Sequence, residues 1–122
     1  MADSKVREKS FAFALDIIRL YTRLRDSHEY VICRQLLRSG TSIGANIEEA
    51  TAAQSRKDFA SKMCIASKEA HETKYWLRLL DESDLTRIDV TAELRGVEEL
   101  IRMLTAIVKT TRENPDGPVD PM

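Results

Sequence analysis

Two histidines, two cysteines and scattered carboxylates are what this chain of 122 residues offers to enzymatic chemistry. A di-iron carboxylate site among helices needs Glu-x-x-His pairs, which project both ligands from one face a turn apart. Around His71 the order is Glu69, His71, Glu72, so no glutamate stands three residues ahead of the histidine. The string His71-Glu72 begins like a zinc HExxH site, but Tyr75 stands where the second histidine belongs. His28 adjoins Glu29 at a helix start, again without ligand spacing. Glu48 and Glu49 are paired carboxylates, which can exchange protons when held close. Neighbouring residues on a helix point about 100° apart, so salt bridges suit these two better than acid–base work. No nucleophile elbow, no glycine-rich phosphate loop and no Cys-x-x-Cys pair is expected. The expectation is a non-catalytic chain that holds no metal and no cofactor.

Basic residues are the other chemical resource. Residues 1–38 carry eight Lys/Arg against five Asp/Glu, whereas residues 39–122 carry eleven against fifteen. The formal net charge is −1. Candidate nucleic-acid contacts are therefore Lys5, Lys9, Arg19, Arg23, Arg34 and Arg38, with Arg7 and Arg25 nearby. Phosphate recognition needs such cations gathered on one face, and a ring of identical subunits would multiply the patch. Aromatic residues do not alternate with the basic ones, as a base-stacking platform would require. The plainer reading is an ordinary solvated helix face.

Periodicity supplies the elements that must position these groups. Phe13, Ile17, Leu20, Tyr21 and Leu24 recur at three and four, predicting a helix over 5–25 with Ser4 as its cap. Asp26 and Glu29 have capping-box spacing before a second helix over 28–53. That helix must cross Arg38-Ser39-Gly40-Thr41-Ser42, a stretch that local propensity would make a turn. Leu36, Ile43 and Ile47 share a stripe only if it runs unbroken, so the small residues predict a close approach to another helix. Ser55 and Asp58 cap a third helix over 55–82, whose seam holds Phe59, Met63, Ala66, Ala70, Leu77 and Leu80. Its small middle is expected to meet the small face of the second helix. A short connection, Ser83 to Thr86, leads to a fourth helix over 87–111, capped by Thr86 and Asp89 and carrying Leu94, Val97, Ile101, Leu104 and Val108.

Four amphipathic helices joined by short turns predict an all-α fold, a left-handed, antiparallel up-down-up-down four-helix bundle. It occupies residues 1–112, and the proline-bearing stretch 113–122 is expected to be a disordered C-terminal tail. The core list includes Leu94 and Ile101. Phe11, Leu15, Ile32, Trp76 and Leu79 are left over as surplus apolar side chains, and such patches mark interfaces. Cys33 and Cys64 are isolated in apolar surroundings and read as free thiols. No run of 18 apolar residues predicts a membrane span, and no signal-peptide core precedes the first helix, so the expected location is cytoplasmic.

The strings QLLRSGTSIGANIEEA and SRKDFASKMCIASKEAHETKYWL resemble the four-helix bundle proteins encoded by intervening sequences of 23S rRNA genes, also labelled S23 ribosomal protein-like. The matching positions are Gln35, Leu36, Arg38, Ser39, Ser42, Ile43, Asn46, Ile47 and Glu49, then Ser55, Lys57, Asp58 and Phe59. Ile65, Ala66, Glu69, Glu72 and Trp76 follow. Where the family usually has Gly after its Asn-Ile-x-Glu core, Ala50 stands, and the second helix is expected to run a turn further. The resemblance implies a homopentamer of four-helix bundles. A related family, the accessory variability protein of diversity-generating retroelements, implies partners such as RNA or a nucleic-acid-processing protein. Gln35, Ser39, Ser42, Asn46 and Glu49 are read as motif and packing positions. Asn46 either fixes helix register or contacts a ligand or neighbouring subunit. Two functions stay open: an RNA-associated adaptor, and a protein-binding scaffold without nucleic-acid affinity.

Overall fold

The computed structural model describes residues 4–27 and 31–114. These form four helices, α1 (Ser4–Ser27), α2 (Val31–Thr51), α3 (Arg56–Glu82) and α4 (Thr91–Glu113), with no strand among the described residues. Neighbouring helices run antiparallel, as the pairing of numbers across each seam establishes. Along α1 and α2, Ser10 lies by Gly44 and Ile17 by Gly40. Between α2 and α3, Glu49 meets Lys62 and Arg38 meets Glu69. Arg56 reaches Asn114 and Cys64 reaches Arg112 at the α3/α4 seam. Lys9 with Glu99 and Arg23 with Glu93 close α4 back onto α1. The outcome is the expected four-helix bundle.

Its core is the meeting line of the four apolar stripes. Ile17, Leu20 and Leu24 from α1, Leu36, Ile43 and Ile47 from α2, Phe59, Met63 and Leu77 from α3, and Val97 and Leu104 from α4 are wholly buried. Burying a side chain of this size contributes about 1.5–3 kcal/mol, and such terms together offset chain entropy. On α4 the predicted stripe is rotated. Leu100 is buried, whereas Leu94 and Ile101 are only partly so. Positions 97, 100, 104, 108 and 111 follow three-four spacing, and Leu94 and Ile101 fall on its flanks.

α2 runs unbroken through its small residues, with Ser39, Gly40 and Gly44 buried. The close approach is real, and it is made on two sides, to α3 as expected and also to α1. The glycines face α1, where a β-carbon on Gly40 would lie 2.9 Å from Ile17 Cγ2. Ser39 faces α3, where its hydroxyl meets that of Thr73. α2 also ends at Thr51, so Ala50, itself buried, does not extend it by a turn. Ala52 and Ala53 instead donate to the carbonyls of Glu49 and Ala50 at 3.1 Å, tightening the last turn.

The caps obey local chemistry. Ser55 is extended and its hydroxyl accepts from the Asp58 amide at 3.0 Å. The predicted Thr86–Asp89 cap is not formed. α4 begins four residues later than expected, after Val90, which makes no side-chain cap bond. Thr86 Oγ1 accepts from the Ile88 amide, and Asp89 accepts from both the amide and hydroxyl of Thr91. Those two Thr91 bonds, hydroxyl first, hold the Asp89 carboxyl below its ordinary range. Asp84 takes φ 59°, which turns the chain after α3, and Val90 is driven into the core. Ser4 is the first residue of α1. The Asp26–Glu29 pair and the tail at 115–122 fall partly or wholly outside the described residues.

Candidate functional site

The motif positions converge on one edge of the bundle. On α2, Gln35, Arg38, Ser42, Asn46 and Glu49 succeed one another at three or four residues, so they form a strip beside α3. α3 answers with Lys62, Glu69, Glu72 and Trp76. At the centre Arg38 Nε donates to Gln35 Oε1 at 3.2 Å and Nη1 to Glu69 Oε2 at 3.2 Å, while Nη2 donates to Glu72. Trp76 Nε1 donates to the same Glu72 oxygen at 2.9 Å. The indole bond, followed by the guanidinium, holds the Glu72 carboxyl below the usual carboxylate range. Arg38 is correspondingly raised, foremost by its bond to Glu72. A guanidinium fork held by two carboxylates is a fixed part, because its donors are already committed.

Beneath that cluster, Ser39 and Thr73 are wholly buried and their hydroxyls lie 2.9 Å apart. Thr73 Oγ1 is also 2.7 Å from the Glu69 carbonyl, and Ser39 Oγ 3.4 Å from that of Leu36. Two hydroxyl protons thus serve the interhelix bond and one backbone acceptor, leaving no buried donor unmet. Further along the strip Ser42 donates to the Arg38 carbonyl at 2.7 Å and Asn46 Nδ2 to the Ser42 carbonyl at 2.9 Å. Asn46, half-buried, therefore bonds along its own helix. Lys62 Nζ donates to Glu49 at 2.8 Å, a bond that raises the lysine. The strip joins α2 to α3. It contains no nucleophile–base pair.

A Gly-x-Ser-x-Gly string is present after all. Gly40-Thr41-Ser42-Ile43-Gly44 does spell Gly-x-Ser-x-Gly. A nucleophile elbow requires a strand-to-helix turn that exposes the serine. These residues are instead interior to α2, and the Ser42 hydroxyl is bonded to a carbonyl one turn back.

The six proposed nucleic-acid contacts are divided between two helices, four on α1 and two on α2. Lys5, Lys9, Arg19 and Arg23 lie along a flank of α1, but acidic groups interrupt them. Lys9 pairs with Glu99 at 2.7 Å, Arg19 with Asp16 at 3.4 Å and Arg23 with Glu93 at 3.7 Å. The Lys9 hydrogen bond is the main cause that lowers the Glu99 carboxyl, with Lys5 adding its charge. Arg34 and Arg38 sit on α2, exposed, with Arg38 committed to α3. Arg7 meets Glu48 through two bonds of 3.2 and 3.0 Å. Exposed pairs of this kind add little to stability, because water and salt screen them. Their effect on surface potential is larger, because carboxylates from α2, α3 and α4 cancel the local excess of residues 1–38.

Three features escaped the sequence. Arg56 is buried and its Nε donates to the Asn114 carbonyl at 3.0 Å, tying the start of α3 to the end of α4. Cys33 is buried as expected, but Cys64 is half-exposed at the α3/α4 surface. Lys68, Lys109 and Arg112 also come together there. No linear signal links residues so far apart on separate helices. No group of His, Cys, Asp and Glu able to hold a metal occurs among the described residues.

Helices of this number and connection, with a polar strip bonding α2 to α3, define a class of small four-helix bundle proteins. The chain belongs to the 23S rRNA-intervening sequence protein family, which it matches over residues 2–106. It is also similar to a solved protein of unknown function from the S23 ribosomal protein family of Bacteroides thetaiotaomicron VPI-5482. The two are 47% identical with a TM-score of 0.80, covering 85% of this chain and 98% of that one. Comparison with curated proteins finds no match.

Proposed function

We propose that this protein acts in the cytoplasm without catalysis, as a self-assembling helical scaffold that binds protein. The observation that carries the reading is a second apolar stripe on α1. Phe11, Leu15 and Ile18 are spaced by four and three on the side of the helix away from Phe13, Ile17 and Leu20. Their exposures are 64%, 37% and 45%. A helix apolar on two faces has one face too many for a lone bundle. The resemblance to 23S rRNA-intervening sequence proteins implies a homopentamer, and we adopt that state. A cyclic ring repeats one heterologous contact around its axis. Nucleic-acid association is the second reading, favoured by the four cations sharing one flank of α1. Their acidic neighbours favour the scaffold.

Light scattering at micromolar concentration tests the assembly. The expected mass is five times the 13.9 kDa protomer. Phe11→Glu with Leu15→Glu should lower it to one protomer while helical circular dichroism persists. A wild-type mass of one chain refutes the scaffold. Titration with structured RNA and with DNA at two salt concentrations separates the readings. The scaffold predicts no saturable binding, whereas saturable binding that weakens steeply with salt replaces it by the nucleic-acid adaptor.

A further inference from the structure

Several surface cations are matched by carboxylates, as Arg7, Lys9, Arg38 and Lys62 are. Lys68, Lys109 and Arg112 are not, and they lie together. None makes an ion pair among the described residues, yet all three line one groove of about 380 Å³ between α3 and α4. Cys64, Ser67 and Thr105 line it with them. Arg112 Nη2 donates to the Cys64 sulfur at 3.5 Å, a weak acceptor for a guanidinium. The Ser67 and Thr105 hydroxyls make no hydrogen bond among the described residues. Thr110 and Thr111 on the same helix, by contrast, donate to carbonyls four residues back.

Gathering three cations is unfavourable unless something negative compensates them. The C-terminal end of α4 accounts for Lys109 and Arg112, since cations are favoured in a last turn. It does not account for Lys68, which lies in the middle of α3. Glu113, which also lines the groove, offsets one charge and leaves an excess of two. From Thr105 to Arg112 the groove spans about 10 Å of helix. That length suits a compact ligand and is too short to track a nucleic-acid backbone.

We propose that this groove binds a small multivalent phosphate anion of the diphosphate class. The Arg112 fork can take two oxygens of one phosphate, the lysines supply point charges, and the free hydroxyls donate to the remaining oxygens. This site is independent of the α1 stripe and of the assembly built on it.

Cys64 is a built-in reporter. The full-length protein is treated with iodoacetamide, a neutral reagent, and alkylation is read by peptide mass with buried Cys33 as the internal reference. Inorganic pyrophosphate is expected to slow Cys64 alkylation saturably. Lys68→Gln, a substitution at an exposed position, should raise the concentration for half-protection roughly tenfold, the effect of one lost charge-assisted bond. Lys68→Gln with Arg112→Gln should abolish protection, while Lys5→Gln with Lys9→Gln should leave it intact. Circular dichroism verifies that each variant stays helical. A short single-stranded RNA forms the second arm. The assignment is overturned by protection from RNA but not pyrophosphate, by protection that survives Lys68→Gln undiminished, or by no protection from either.

Discussion

Replacing Gly40 with alanine sets two known effects against each other at one position. Alanine in a helix interior is favoured over glycine by about 0.8–1 kcal/mol, so α2 alone would gain stability. The added methyl, however, would stand 2.9 Å from Ile17 Cγ2 and 3.0 Å from Cγ1, against an optimal carbon separation of about 3.5–4.0 Å. Ile17 is wholly buried and branched at Cβ, so neither γ carbon can swing away without dragging the other. Overpacking of this kind costs about 1–3 kcal/mol. The two γ contacts place this site in the upper half of that range, and the net expectation is destabilisation of about 1–2 kcal/mol. Guanidinium unfolding followed at fixed protein concentration measures it, since mass action would otherwise shift an oligomer's midpoint. The diagnostic is the cycle with Ile17→Ala, which removes both γ carbons. In that background Gly40→Ala should reverse sign and stabilise, giving a coupling of about 2–3 kcal/mol. If Gly40→Ala stabilises the wild-type protein by its full propensity gain, the close approach of α2 to α1 is wrong.

Two further expectations test other parts of the bundle. Leu100→Ala should cost about 2–5 kcal/mol and Leu94→Ala clearly less, because only Leu100 is fully buried; equal midpoint shifts in denaturant would contradict the rotated α4 stripe. Trp76→Phe removes the indole donor that chiefly lowers the Glu72 carboxyl, so its pKa should rise while Arg38 still holds it below the ordinary value. Because the folded-state pKa is depressed, the stabilisation from Glu72 is complete above the usual carboxylate range and is lost as pH falls through the folded value. NMR titration of the carboxyl carbon measures the rise, and an unchanged pKa would remove the indole from its place in the network.

Legibility varied with how local the cause was. Leu36, Ile43 and Ile47 keep phase across Gly40 and Ser42, so the continuity of α2 followed from its own spacing even where propensity opposed it. The Ser55 cap was equally local. The start of α4 was not, because Thr86 and Asp89 can serve turns or caps and the burial of Val90 decides between them. The partner of the glycines was also hidden, since both α1 and α3 offered a plausible surface and only three-dimensional packing chose Ile17. Site residues divided in the same way. Gln35, Arg38, Glu69 and Glu72 were visible as motif positions, but their assembly round one guanidinium needed two helices in register. The basic excess of residues 1–38 was true as a count and misleading as a surface. Glu48 lies 41 residues from Arg7, and no local window contains both.

The α1/α4 seam has a consequence for the order in which the chain can be completed during synthesis. The α1/α2 and α2/α3 hairpins join neighbours in sequence, so each can close as soon as its second helix exists. Lys9 must wait for Glu99, and Phe13 for the turn of α4 that carries Gly96. At translation rates of about 5–20 residues per second, that gap lasts roughly 5–20 seconds. For that time α1 carries its inner face of Phe13, Ile17 and Leu20 open on the side where α4 will lie, with Phe11, Leu15 and Ile18 bare on the other. A nascent three-helix intermediate is thus the stage at which chaperones would find the most to hold, and at which copies growing side by side on one message could first pair wrongly.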